Sequence, residues 1–280
     1  PKVHFCRSLY NFMTNWLIFM SYSIILSWRE RATSSKICTR FKLRSLMSKL
    51  AVLDDLLEQY YQLQYHHNAE LFQRLQDVQM WQKQRMQHTH QQHFAVKNNQ
   101  LMAQYFLNRL YGGPDFDALA KQIARMMKYV HKAEKLIPEN AIKTGTAGVE
   151  LAILAVQLDE QVALQLLEDY APNTPLTDEM MRLSYLKLDQ GQPRLHQLEL
   201  LDQLGANLDK YMRSFMVYTA FKMCKGVAYK HHFDVMYEFM QDGFLAMKPL
   251  KSAEQFVKDF TAIERQIIAK VHAGDLHPFQ

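Results

Sequence analysis

Between Leu50 and about Phe94 the apolar residues return at intervals of three and four: Leu50, Leu53, Leu56, Leu57, Tyr60, Tyr61, then Leu71, Leu75, Val78 and Trp81. That interval is the period of one helix face. No Gly or Pro occurs between residues 47 and 111. The stretch therefore predicts one or two long helices, with a bend near His66-His67-Asn68. A further helix over 99–111 carries Leu101, Tyr105, Phe106 and Leu110. It stops at Tyr111-Gly-Gly-Pro-Asp115, where Gly supplies a left-handed cap and Pro bars continuation.

The same period continues over 116–136 and 140–170. Thr174-Pro175 reads as a cap followed by a first-turn Pro, and that helix ends at Gln190-Gly-Gln-Pro193. Helices over 194–225 and 228–247 follow. The last opens on Ser252-Ala-Glu-Gln255, a capping-box spacing, and closes before Gly274. No strand-like alternation and no fixed-period repeat interrupts the pattern. The expected fold is all-α, a bundle-like single domain of long helices over 47–280.

Composition agrees. Gly (9) and Pro (8) are scarce in 280 residues, which disfavours the many turns of a sandwich, barrel or α/β fold. Three Cys exclude a disulfide scaffold and most structural zinc sites.

Charge divides the chain. Residues 1–46 hold eight basic residues against one acid, a net of +7, whereas 47–280 hold 25 bases and 27 acids, a net of −2. Net charge thus gives the body no nucleic-acid signal. Ser8 to Trp28 is uncharged, and 9–28 is long enough for a membrane-spanning helix. No small-residue cleavage site follows it. Met47-Ser48-Lys49 resembles a translation start, which favours reading 1–46 as an upstream, non-native extension. The alternative is a basic leader that anchors the protein in an inner membrane. Either way the body is expected in the cytoplasm, by the positive-inside rule in the anchored case. Single thiols at Cys6, Cys38 and Cys224 fit a reducing compartment.

Candidate chemistry is sparse. His88, His90 and His93 cluster on one helix, His90 and His93 sharing a face, and His at helical spacing could ligate a metal or haem if facing helices supplied carboxylates. Neither Glu-x-x-His nor His-Glu-x-x-His occurs. Cys224 reads as an inert buried thiol beside Met223 and Phe221. Gly145-Thr-Ala-Gly148 lacks the Lys-Ser/Thr of a phosphate loop, so these small residues are expected to allow close helix packing. Lys121, Arg125, Lys128, Lys132 and Lys135 line one helix face. That stripe could meet membrane phosphates, or it is simply solvated, with its stems over apolar neighbours.

The segment Phe106-Leu-Asn-Arg-Leu-Tyr-Gly-Gly-Pro-Asp-Phe116 resembles a phrase of a family of uncharacterised bacterial helical proteins, Phe-Phe-Leu-x-x-Leu-Tyr-Gly-x-x-Asp-Phe. Gln79-Met-Trp-Gln-Lys-Gln-Arg85, Leu136-Ile-Pro138, Arg194 with Gln197, Phe239 to Phe244 and Ile263-Glu-Arg-Gln-Ile267 fit the same family in order, over roughly 70–279. Tyr105 stands where the pattern has its first Phe, and its Arg-Asp pair after Phe116 is missing. The resemblance implies fold and boundaries but no activity or cofactor. Within its phrases Trp81, Arg85, Tyr111 and Asp115 are the candidate site or structural cluster, with Arg85 and Asp115 as a buried pair or as the link between turn and long helix.

No recognised catalytic spacing emerges. The first expectation is therefore a non-enzymatic role, structural or in binding a protein partner or a second copy, since adaptable Met-bearing faces suit such contacts. A metal- or haem-binding bundle and a membrane-associated protein are the alternatives. No cofactor is expected.

Overall fold

The computed structural model describes residues 50–113, 115–133, 139–212 and 215–280. The leader 1–46 with segment 9–28, its thiols Cys6 and Cys38, and Lys135 lie outside these residues. Among the described residues the fold is all-α, without a strand. The helices are α1 (Ala51–Tyr61), α2 (Ala69–Thr89), α3 (Gln91–Ala95), α4 (Gln100–Tyr105), α5 (Phe116–Ala133), α6 (Glu139–Asp169), α7 (Asp178–Leu188), α8 (Gly191–Met212), α9 (Phe215–Met223), α10 (Lys225–Lys230), α11 (Asp234–Met247) and α12 (Ala253–His272).

Four long helices form the frame. Helix α2 packs along α6, α6 along α8, and α8 along α12. Asn68 starts α2, its side chain accepting from the N–H groups of Glu70 and Leu71 at 3.1 Å. The helix then buries Leu71, Leu75, Val78 and Trp81 on one face. Each such side chain withdrawn from water contributes about 1.5–3 kcal/mol. Ser252 caps α12 as its spacing predicts, accepting from Gln255 N–H at 3.1 Å. Its hydroxyl also donates to Asp209 at 3.0 Å, which ties α12 to the end of α8. Where α8 meets α12, a Cβ on Gly205 would lie 2.8 Å from Val257, so only Gly allows that approach.

Three boundaries differ from the sequence expectation. Helix α7 is capped by Thr177, whose hydroxyl accepts from Met180 N–H at 3.2 Å, and not by Thr174. The backbone before it is held elsewhere: fully buried Arg74 donates to the carbonyls of Thr174 (2.9 Å), Ala171 (3.0 Å) and Pro172. The expected helix 194–225 is divided into α8, α9 and the start of α10. The expected start at 228 gives way to a turn at 231–233, with His232 in the left-handed region at φ 57°.

The segment before the Gly-Gly turn also departs from a regular helix. Tyr111 N–H donates to Phe106 O, five residues back, at 2.9 Å. Residues Phe106–Leu110 therefore form one wide π turn, a feature that recurs at functional sites. Gly112 then takes φ 51°, the left-handed cap expected there. Lys83 on α2 fixes the turn by donating to Gly112 O at 2.9 Å.

Candidate functional site

The frame helices do not close completely. Between them lies a cavity of about 170 Å³. Its wall on α6 is Gly148, Leu151, Ala152 and Ala155, a run of mostly small residues on one helix face. The expectation that Gly145 and Gly148 permit close packing is incorrect. A Cβ at either would meet nothing within 4 Å. The small residues leave space open instead of drawing a neighbour in.

Opposite stand Leu198, Leu201 and Leu204 of α8 and Phe260, Ile267, Ile268 and Val271 of α12. The π turn contributes Phe106, Leu110 and Tyr111, and the chain end returns Phe279 to the lining. Phe279 is buried and stands edge-on to Trp81, ring centroids 5.0 Å apart. The polar lining is concentrated in Gln82, Arg85, Tyr111, Tyr185, Arg194 and Glu264, with Gln197 and His272.

Two ionic groups organise that polar part. In the first, Arg85 of α2 meets Glu264 of α12 through two hydrogen bonds, 2.5 and 2.9 Å. His90 Nε2 lies 2.6 Å from the same carboxylate. A carboxylate only accepts, so this ring nitrogen carries the proton. Burial is the largest influence on Glu264 and pushes its pKa up. The charge of Arg85 and the hydrogen bonds from His90 and Arg85 outweigh it and hold the value at about 2.

In the second group, Tyr111 donates to Asp159 Oδ2 at 2.6 Å. Arg194 is 3.7 Å from Oδ1, beyond hydrogen-bond reach. Burial pushes Asp159 up, and the opposing charge of Arg194 and the Tyr111 hydroxyl do not reverse it.

Tyr185 stands between these groups. Its hydroxyl is buried without a hydrogen-bond partner, and burial pushes its pKa up to about 12. The phenol therefore stays protonated at neutral pH. Arg194 lies over the Tyr185 ring, 4.6 Å from its centroid.

Of the sequence-selected residues, Arg85 and Tyr111 meet in the cavity lining, whereas Trp81 and Asp115 stand outside it. Trp81 donates to Asp178 at 3.0 Å, Arg85 goes to Glu264 and Tyr111 to Asp159. Asp115 pairs with Arg109 at 3.1 Å, so the expected Arg85–Asp115 pair is replaced by two separate ones. The histidines disperse as well. His88 is exposed, His90 is fully buried on Glu264, and His93 Nε2 is 3.1 Å from the Phe256 carbonyl. Among the described residues no three His, Cys, Asp or Glu side chains gather as a metal site.

Within the basic stripe, Arg125 is engaged by its own fold. Arg125 donates to the carbonyls of His231 (3.2 Å) and His232 and covers the Phe233 ring at 4.4 Å. Lys121 and Lys128 are exposed. The side chain of Lys132 and the whole of Lys135 lie outside the described residues. Cys224 is buried and its thiol is pushed up by desolvation. Among the described residues no helix is long and apolar enough to cross a membrane.

A family model described as a domain of unknown function, DUF8198, matches residues 62–278. The chain belongs to this family. No curated protein and no solved structure matches it. The family span takes in α2 to α12 and the cavity lining apart from Phe279, while α1 precedes it.

Arg194 and Glu264 lie within phrases that carry the resemblance, yet sequence reasoning did not select them, nor Asp159 or Tyr185. One signal was available for the acids. Glu264 falls on the α12 stripe Phe256, Phe260, Ile267, Val271, and Asp159 on the α6 stripe Val156, Val162, Ala163, Leu166. A carboxylate at an apolar position of the helical period must find a partner inside.

Proposed function

We propose that this protein of the DUF8198 family is a binding protein for a small, mostly apolar molecule seated between α2, α6, α8 and α12. The observation that carries this reading is an apolar cavity with the unpartnered Tyr185 hydroxyl at its polar end. Pockets that bind small molecules combine apolar walls with a few convergent polar groups. An apolar cavity of about 150 Å³ takes up benzene, so about 170 Å³ suits a molecule of that order. Binding is favoured over acid–base catalysis because Glu264 is held ionised by Arg85 and His90 and is a weak base.

The test is calorimetry on the full chain with toluene, hexanol and hexanoate, alongside thermal unfolding. At least one compound should bind saturably and raise Tm. Ala155→Leu, which fills the α6 wall, should abolish binding while circular dichroism still shows a folded helical protein. Failure of all three compounds on the native chain, or unchanged binding by the folded variant, would remove this reading.

The specific support for a protein partner or self-association is the exposure of Met223 (78%) and Leu276 (68%). Single exposed apolar side chains are ordinary on protein surfaces, and light scattering reads out self-association directly.

A further inference from the structure

The hydrogen-bonding groups around the cavity are unevenly used. Both Glu264 oxygens accept from Arg85, and Oε1 also faces His90. The Gln82 carbonyl accepts from Arg85 at 2.9 Å. Asp159 is not part of the lining, and Tyr111 already donates to it. The carboxylates and the Gln82 carbonyl are thus committed.

The donors are not. The Tyr185 hydroxyl has no partner, and neither has Arg194 Nε, although both atoms are buried. Arg194 gives one hydrogen bond, from Nη2 to Gln190 Oε1 at 3.1 Å. A guanidinium carries five N–H donors, so most of this fork is unspent. Its charge is also incompletely met, with the nearest carboxylate oxygen 3.7 Å away, against 2.5 Å for Arg85. A buried donor left unmet is costly, and an arginine fork matches a carboxylate in shape and charge.

We infer that the ligand is a small monocarboxylic acid, its carboxylate on the Tyr185 hydroxyl and the Arg194 guanidinium and its apolar body against Leu198, Leu201 and Ile267. This rests on the cavity being a ligand site. The volume suits an acid of about six to nine non-hydrogen atoms, by comparison with benzene in a slightly smaller cavity. An ammonium of the same size is disfavoured, because it would set a second positive charge beside Arg194, whose own charge is incompletely met.

The experiment is calorimetry with the full chain and four probes of similar size: hexanoate, hexanol, hexylamine and toluene. Hexanoate should bind at least tenfold more tightly than hexanol, and hexylamine more weakly than either. Tyr185→Phe keeps the ring and removes only the hydroxyl. It should weaken hexanoate about tenfold and leave toluene unchanged. Arg194→Met, checked for folding by circular dichroism, should weaken hexanoate about a hundredfold. Equal affinity for hexanoate and hexanol, tightest binding of hexylamine, or a Tyr185→Phe protein that binds hexanoate like the native one would overturn the acid assignment while the cavity remains a site. No binding by any of the four would overturn both.

Discussion

Glu264 and Asp159 are carboxylates of one bundle, both out of water and both near an arginine. Desolvation is the largest influence on each and favours the neutral acid. At Glu264 the Arg85 fork makes two hydrogen bonds and His90 adds a third, and the pKa falls to about 2. At Asp159 the arginine stands off at 3.7 Å, one phenol donates, and the pKa rises. A positive charge 3.7 Å away with one phenol hydrogen bond does not offset burial. The close charge of Arg85 together with the hydrogen bonds from His90 and Arg85 does. The first group behaves as a closed structural lock, and the second keeps donors in reserve beside the cavity.

The strongest way to break this contrast is Glu264→Gln. It leaves Arg85 buried without its counter-charge and should cost about 3–5 kcal/mol, read as a lower urea midpoint at pH 7.

Acid should separate the groups next. Glu264 has a depressed folded pKa, so its contribution is present above its unfolded value, near 4.5, and is lost as pH falls towards about 2. A shift of this size corresponds to on the order of 3 kcal/mol. Asp159 has a raised folded pKa, so its contribution has the opposite sign. It is present below its unfolded value, near 3.8, and is lost as pH rises through the folded one. Urea midpoints from pH 6 to 3 should fall steeply in the native protein and less steeply in Glu264→Gln. Parallel slopes would contradict the assignment of the acid-sensitive lock to Glu264.

The smallest effect is expected from Asp159→Asn. The amide oxygen can still accept from Tyr111, and Arg194, 3.7 Å away, loses a distant charge and no hydrogen bond of ordinary length. Stability at pH 7 should change by about 1 kcal/mol or less. A loss as large as that of Glu264→Gln would erase the distinction.

The frame was legible in the sequence because its signals are local. Asn68 precedes an apolar period, and Ser252 stands three residues before Gln255. The Gly112 cap follows from the Gly-Gly-Pro segment. Thr174 misleads because its neighbourhood offers two Thr caps three residues apart. The Thr174 backbone is held by Arg74, 100 residues earlier in the chain. The site was less legible for the same reason. Arg85 could be singled out, but its partner is 179 positions away, and Tyr111 and Asp159 are 48 apart. Gly145 and Gly148 suggest contact as readily as space until the facing helices are in place. Nothing in the spacing of 106–110 distinguishes a π turn from an ordinary one.

The Arg85–Glu264 link also sets an order of events during synthesis. A ribosome adds about 5–20 residues per second, so the 179 positions between the two residues take on the order of ten to forty seconds. For that interval α2 exists without the only carboxylate that hydrogen-bonds Arg85 among the described residues. A nascent bundle that closed before α12 was made would bury the Arg85 guanidinium without that carboxylate, at the cost of an unpaired buried charge. Complete desolvation of Arg85 is therefore favourable only once the last long helix can dock.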